Sequence, residues 1–155
     1  MYEVVPASIL HVRPLAKRMR AASAASVAGY GFNPREGLRR SFVNSHHCRT
    51  ALVDGRPIAM WGLIGPLLAG ETFAWVVLTE EAAEIPFSVV REARRALATA
   101  AESYETVRAA IFPDDAGAIR FATFMGFVED GRAPLGDSYV LSMRYLPHRV
   151  LEEAA

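Results

Sequence analysis

Cysteine is almost absent from this sequence, whose 155 residues include Cys48 and no second thiol. A single cysteine excludes an internal disulfide framework and a zinc site built from several cysteines. Apolar runs of about 18 residues, which a membrane-spanning helix needs, are absent too. The N-terminus lacks a basic start followed by a long apolar stretch, so no signal peptide is predicted and we expect an intracellular, reducing setting.

A net charge is missing as well, because 17 Lys and Arg residues balance 17 Asp and Glu residues. This balance argues against a nucleic-acid coat protein and a polybasic membrane binder. The charges are unevenly spread, since residues 1–56 have a net charge of +6 and residues 57–155 a net charge of −6. The asymmetry predicts either an acidic partner for the basic helices of residues 14–45 or amphipathic helices with solvated basic faces.

The composition is that of an ordinary globular domain, with 52% apolar and 22% charged residues. A chain of this length buries roughly 68–70% of its unfolded surface, so it needs no disulfide or metal to fold. No linker, repeat or low-complexity tract interrupts the sequence. We therefore expect one domain over residues 1–149, followed by a frayed tail at residues 150–155.

The periodicity of apolar residues predicts a mixed α/β fold. Asn33 followed by Pro34 is typical of a helix start, and Asp54-Gly55 between two β-prone segments indicates a hairpin. The order β-α-α-β-β-β-α-β-α-β-β predicts a mostly antiparallel sheet with one splayed parallel pair, residues 71–79 and 106–112. The predicted helices are residues 14–28, 33–45, 86–105 and 114–125, and the predicted strands are residues 2–7, 49–53, 57–64, 71–79, 106–112, 127–129 and 138–146.

Such a parallel pair places a ligand near the carboxyl ends of its strands, here around Val76–Thr79 and the start of the next helix. A phosphate-binding turn at this point normally contains glycine. Residues 79–86 have none and carry three carboxylates, Glu80, Glu81 and Glu84. Because three negative charges would repel a pyrophosphate, the favoured interpretation is that these glutamates stabilise the start of the following helix.

His46, His47 and Cys48 are consecutive, but neighbouring residues of a strand point to opposite faces. This makes the triplet a poor chelator, and no metal site is predicted. Cys48 is interpreted as a half-buried structural residue, with an activated thiol beside His47 as the alternative. Asp114 and Asp115 are interpreted as caps of the helix that follows, with a general-base role as the alternative.

Residues 115–127 resemble the C-terminal motif of the GNAT superfamily of acyltransferases, which transfer an acyl group from acyl-CoA to an amine. Ala118, Phe121 and the pair Gly126-Phe127 match that motif. The order of strands and helices extends the resemblance over most of the chain. The resemblance implies the GNAT fold, with acetyl-CoA bound at Val76, Val77, Leu78, Thr79 and Phe87.

Three features depart from the family pattern. Asp115 stands at the family's Asn, and Ala122 stands at the family's Tyr, which protonates the leaving thiolate. Residues 80–86 replace the glycine turn that grips the CoA pyrophosphate. The resemblance does not identify a general base. Glu71 and Asp115 are the candidates for this role.

The sequence is closer to a group of phage-encoded GNAT-like proteins related to the internal virion proteins of short-tailed phages. One departure is that Ser23 and Ser26 stand where that group has an acidic pair. The segments that carry this resemblance are Leu15–Ala22, Gly31–Ser41, Asp54–Gly62, Trp75–Thr79 and Ala118–Phe127.

The phage resemblance implies a phage or prophage gene product located in the host cytoplasm or in the virion. It implies weak or absent acetyltransferase activity and a structural or assembly role with a phage structural protein as partner. The alternative is an active acetyl-CoA-dependent N-acetyltransferase that acts on an unidentified amine.

Overall fold

The computed structural model describes residues 1–65, 70–81 and 87–146. These residues form seven strands and five helices. The strands are β1 (Tyr2–Pro6), β2 (Ser45–Val53), β3 (Arg56–Ile64), β4 (Glu71–Leu78), β5 (Thr106–Ile111), β6 (Phe127–Leu135) and β7 (Ser138–Tyr145). The helices are α1 (Ile9–Lys17), α2 (Ala21–Gly29), α3 (Pro34–Val43), α4 (Phe87–Ser103) and α5 (Ala116–Met125).

The strands follow the hydrogen-bonding order β1-β2-β3-β4-β5-β7-β6. β4 and β5 are parallel, with Glu71–Phe73 opposite Thr106–Arg108, and α4 lies between them in the chain. The pairs β1–β2, β2–β3, β5–β7 and β6–β7 are antiparallel. The sheet is thus mostly antiparallel with one parallel pair, which confirms the predicted fold class. Parallel strands need a crossover connection, and α4 provides one of sufficient length.

The chain divides into two compact units, and β4 and α4 contribute residues to both. The described part of the first unit holds residues 1–65, 74–81 and 87–93, and that of the second holds residues 70–73 and 94–146. The expected single domain over residues 1–149 stays a prediction. The expected tail at residues 150–155 lies outside the described residues.

One face of the strands in the first unit carries α1 and α3. A cluster of apolar side chains joins these helices to β3 and β4, and Leu15, Leu38 and Met60 within it are 0% exposed. Burial of side chains of this size contributes roughly 1.5–3 kcal/mol each to hydrophobic stabilisation. The buried members of the cluster are Val12, Leu15, Met19, Leu38, Met60 and Val77.

A second apolar cluster packs on the other face of β3. Successive residues of a strand point to opposite faces, so Met60 enters the first cluster and Ala59 enters the second. Val89 brings the first turn of α4 into the second cluster, whose other buried members include Ile58, which is 1% exposed. The first unit therefore has helices on both faces of its strands.

The predicted helix over residues 14–28 is wrong in its limits, because α1 and α2 are separate helices. Met19 forms an antiparallel bridge with Thr79, and the Arg20 N–H donates to the Leu78 carbonyl at 2.8 Å. These bonds to the end of β4 replace the helical hydrogen bonds at the break. Pro14 lies inside α1 rather than at its first turn, since Ser8 is the N-cap.

Three other local predictions are confirmed. Asn33 caps α3 by accepting the Glu36 N–H at 2.8 Å. Asp54 and Gly55 have φ angles of 48° and 80°, the positive values that a tight hairpin between β2 and β3 requires. Asp115 caps α5 by accepting the Ala118 N–H at 3.0 Å.

Strand β6 is longer than the predicted residues 127–129. Gly131 and Pro134 make the segment a poor strand by composition, yet it pairs with β7 as far as Leu135. β6 ends the strand order, and an edge strand tolerates proline because one of its sides has no partner. Gly131 lies at a register shift, where an irregular pairing accommodates a glycine.

The start of α1 depends on the protonation state of His11. Ser8 accepts the Leu10 N–H at 3.2 Å, and the Ser8 N–H donates to Nδ1 of His11 at 3.0 Å. The hydroxyl of Thr50, which is 0% exposed, lies 2.9 Å from the same nitrogen. Because Nδ1 accepts the Ser8 N–H, it carries no proton and His11 is neutral, and burial lowers the pKa of His11 below the usual 6.5.

We expect the free energy of unfolding to fall as the pH drops below the ordinary histidine pKa of 6.5. The folded pKa is lowered, so the unfolded chain binds the proton more readily and the stabilisation present at higher pH is lost. The expected loss is about 1 kcal/mol, the usual value of a helix cap. Urea unfolding between about pH 8 and pH 5 measures it.

The variant His11→Asn keeps an acceptor for the Ser8 N–H and does not titrate, so its unfolding should lose this part of the pH dependence. The matched control is His47→Asn, because His47 is exposed on β2. An unchanged pH profile in His11→Asn would contradict the role assigned to the His11 ring.

Candidate functional site at the end of strand β4

Most of the predicted cofactor residues on β4 have side chains that pack inside the protein. Val77 enters the cluster beneath α1 and α3, and Leu78 packs against the cluster that contains Ile58. Thr79 is 1% exposed, whereas Val76 is 38% exposed. Among these four residues, only Val76 is exposed.

The main chain at the end of β4 is tied to neighbouring elements. The Leu78 carbonyl accepts the Arg20 N–H, and the Thr79 N–H donates to the Ile58 carbonyl at 3.0 Å. The Thr79 hydroxyl donates to that carbonyl as well, at 3.1 Å. These bonds fix the point where the chain leaves β4.

The carboxylate of Glu81 lies between two arginines. Nη1 of Arg18, which follows α1, is 3.0 Å from one carboxylate oxygen, and Nη2 of Arg56 on β3 is 2.7 Å from the other. The hydrogen bond from Arg56, together with the charges of both arginines, lowers the pKa of Glu81. The group is therefore ionised at neutral pH and neutralises cations that could otherwise bind an added anion.

Glu80 binds a different helix from the one predicted. Its Oε1 accepts the N–H of Ala21, the first residue of α2, at 3.1 Å. A carboxylate at this position stabilises unsatisfied N–H groups and the positive end of the helix dipole. The prediction that Glu80 and Glu81 stabilise the helix after β4 is thus corrected to α2 for Glu80 and to the two arginines for Glu81. Glu84 lies outside the described residues.

Phe87, the fifth predicted cofactor residue, begins α4. Its ring is 65% exposed and has the guanidinium of Arg91 at 5.1 Å from its centroid. An exposed aromatic ring with a cation one turn away can stack against a planar group. Phe87 belongs to the same unit as Val76–Thr79.

The two candidate bases lie in the second unit. Glu71 on β4 is 2.5 Å from Nε of Arg108, and the same guanidinium is 2.8 Å from Asp130 on β6. The Arg108 hydrogen bond lowers the pKa of Asp130. Asp115 is engaged as the cap of α5. Both candidates thus have structural partners, and their catalytic roles stay predictions.

The motif of residues 115–127 has a clear structural meaning. Gly126 has a φ of 111° and ends α5 in the left-handed conformation, for which glycine is suited. Phe127, 5% exposed, then begins β6 and packs against Tyr145 at 5.5 Å between ring centroids. Ala122, at the position of the family's Tyr, is 7% exposed and carries no hydroxyl.

Cys48 has the properties of a structural thiol. It packs partly buried against the cluster of Leu15 and Met60, and burial raises its pKa to about 11. Such a thiol is protonated at neutral pH, which disfavours the activated thiol. Among the described residues, no group of three or more His, Cys, Asp or Glu side chains could hold a metal ion.

Sequence reasoning missed the partners of this region. Arg18 and Arg56 are 63 and 25 residues away from Glu81 in the chain, so no local spacing reveals the contact. Trp75 on β4 donates to the Ser45 hydroxyl at 2.6 Å. A Cβ at Gly62 would lie 3.2 Å from both Ser45 and the indole nitrogen, so the small residue on β3 makes this contact possible.

No protein-family model and no curated protein matches the chain. Solved structures match it over nearly its whole length. AAC(6')-Ib in complex with ribostamycin and coenzyme A has a TM-score of 0.68 and 12% identity, over 99% of this chain and 98% of that one. PaiA N-acetyltransferase from Thermoplasma acidophilum in complex with coenzyme A has a TM-score of 0.61 and 14% identity, over 94% and 99%. An acetyltransferase of the GNAT family from Streptococcus pneumoniae has a TM-score of 0.61 and 12% identity, over 94% and 99%.

The fold of this chain is therefore that of the GNAT acetyltransferases. This confirms the fold implied by the motif of residues 115–127. At 12–14% identity the likeness shows the fold alone. The relation to phage proteins stays a prediction. No helix among the described residues is both long and apolar enough to span a membrane.

Proposed function

We propose that the protein is an acetyltransferase-like protein of phage or prophage origin that binds acetyl-CoA weakly and serves a structural or assembly role in the virion. Weak binding of acetyl-CoA is inferred from the position of Glu81 between Arg18 and Arg56. Both of these cations, which lie near the end of β4, already hold an internal carboxylate. An incoming phosphate group would have to displace it.

Two sequence features support the same proposal. Ala122 supplies no hydroxyl to protonate a leaving thiolate, and the segment after β4 contains no glycine. The phage origin and the virion role rest on the resemblance of the segments Leu15–Ala22 and Gly31–Ser41 to phage proteins. Mass spectrometry of purified particles from a lysogen that carries the gene tests this part, and absence of the protein from every particle would exclude the virion role.

We expect acetyl-CoA to produce little thermal stabilisation of the natural protein. A ligand at about 100 times its Kd would add about 2.7 kcal/mol to the free energy of unfolding, which is readily measured. Glu81→Gln should bind acetyl-CoA about tenfold more tightly, because removing the carboxylate releases Arg18 and Arg56 for phosphate groups. Isothermal titration calorimetry measures the difference.

The matched control is Glu36→Gln, which removes the same charge from a surface pair with Arg40 on α3. Its affinity for acetyl-CoA should equal that of the natural protein. Strong binding by the natural protein, or equal gains in both variants, would contradict the assigned effect of Glu81.

The alternative function is an active acetyl-CoA-dependent N-acetyltransferase. It is favoured by the likeness to structures solved with coenzyme A. Release of free CoA thiol in the presence of a panel of amines tests it. Glu71→Gln and Asp115→Asn then test the two candidate bases, and Asn at position 115 retains the ability to cap α5.

A further inference from the structure

Helices α1 and α3 present matching stripes of side chains to solvent. On α1, Leu10, Arg13 and Lys17 are three and four residues apart and therefore share one face. On α3, Arg35, Arg39 and Val43 recur every fourth residue. All six side chains are exposed, with Leu10 at 80% and Val43 at 61%.

The two stripes belong to helices that pack on the same face of the strands. α1 buries Val12 and Leu15, and α3 buries Leu38, in one cluster with Met60 of β3. Both helices thus cover the same face of the strands, and the six side chains lie on their solvent-exposed sides. The six side chains define what we call the cationic helix face: Leu10, Arg13, Lys17, Arg35, Arg39 and Val43.

The four cations of this face have no acidic partner in the part of the chain that the structure describes. Among the described residues, none of them forms an ion pair. Glu36, the single acidic residue of the three helices α1–α3, is paired with Arg40 at 3.5 Å. Glu81 is taken by Arg18 and Arg56. Neither of these two carboxylates forms an ion pair with the cationic helix face.

We propose that the cationic helix face docks an acidic segment of another protein whose carboxylates are interspersed with apolar side chains. The carboxylates of such a segment would be attracted to the four cations of the face, which are Arg13, Lys17, Arg35 and Arg39. The exposed Leu10 and Val43 favour a protein over a nucleic acid, because protein interfaces combine a desolvated apolar part with a polar rim. A phosphate backbone would gain nothing from two aliphatic side chains.

The test uses a fluorescein-labelled peptide of repeated Glu-Glu-Leu and measures fluorescence anisotropy at about 150 mM salt, where long-range attraction is screened. The natural protein should bind this peptide. The double variants Arg13→Glu with Lys17→Glu and Arg35→Glu with Arg39→Glu should each bind about tenfold more weakly, since attraction is replaced by repulsion. Arg95→Glu with Arg120→Glu is the matched control, because both residues are exposed in the second unit and the net charge changes equally.

A second comparison isolates the apolar contribution. Leu10→Ser with Val43→Ser should weaken binding of the Glu-Glu-Leu peptide and leave binding of a Glu-Glu-Ser peptide unchanged. Circular dichroism establishes that each variant is folded. Where a charge reversal does not fold, glutamine replaces glutamate at the same two positions. Glu81→Gln should bind the peptide like the natural protein, so the result is independent of the acetyl-CoA experiment.

Several outcomes would overturn the proposal. They are absence of peptide binding, equal losses in the control variant, and duplex DNA or phosphatidylserine vesicles binding as tightly as the peptide. Concentration-dependent self-association in sedimentation equilibrium that is abolished by the α1 or α3 charge reversals would assign the face to a second copy of this chain instead.

Discussion

Replacement of Leu15 by alanine is expected to lower the free energy of unfolding by about 3 kcal/mol. Leu15 is 0% exposed and packs with Leu38 and Met60 in the cluster that joins α1 and α3 to the strands. The substitution removes the apolar transfer energy of three carbon atoms and leaves a cavity that the close packing of a core fills only in part. Urea unfolding monitored by circular dichroism measures the loss.

Leu10→Ala is the matched control on the same helix. Leu10 is 80% exposed, so the same chemical change should alter the free energy of unfolding by less than about 0.5 kcal/mol. Similar losses in the two variants would mean that α1 does not bury the side that the structure assigns. The pair also separates two roles, because Leu15 contributes to stability and Leu10 is proposed to contribute to docking.

The limits of α1 and α2 show where sequence patterns fail. Leu15, Met19 and Ala22 recur at helical spacing, so the pattern predicts one helix through the break. The break arises from the bonds of Met19 and Arg20 to the end of β4. Those contacts are long-range, and tertiary contacts override a helical periodicity that is only local.

Local chemistry predicted other elements well. The cap at Asn33 and the hairpin at Asp54-Gly55 depend on residues adjacent in the chain, and both are present. Gly126 ends α5 for the same reason. Strand β6 was harder to predict, because its pairing with β7, rather than its own composition, makes residues 130–135 a strand.

The candidate site at the end of β4 stays a prediction, whereas the structural roles expected of Glu80 and Glu81 were wrong. Glu81 was expected to stabilise the next helix, but it binds Arg18 and Arg56, which come from distant parts of the chain. This pairing changes the meaning of the balanced net charge. The +6 of residues 1–56 is partly neutralised by Glu81. Four of the other cations are exposed on α1 and α3, namely Arg13, Lys17, Arg35 and Arg39.

Replacement of Gly37 by alanine is expected to lower the free energy of unfolding by about 2 kcal/mol, as overpacking does in a well-packed contact. A Cβ at Gly37 would overlap Cγ1 of Val27, a residue of α2 that packs against the Leu15 cluster. Alanine at an exposed helix position would instead stabilise by up to about 1 kcal/mol. The sign of the change therefore reports how closely α2 and α3 approach each other.

A double-mutant cycle makes that prediction specific to Val27. Val27→Ala removes the overlapping methyl group, so in its presence Gly37→Ala should no longer destabilise and should recover part of its helix propensity. The expected coupling free energy is about 1–2 kcal/mol, within the range found for residues in direct contact. Urea unfolding of the four proteins measures it, and additive losses would show that the cost of alanine at position 37 arises elsewhere. A coupling of the expected size would establish that glycine at this position sets the distance between α2 and α3, and with it the position of the helix that carries Arg35 and Arg39.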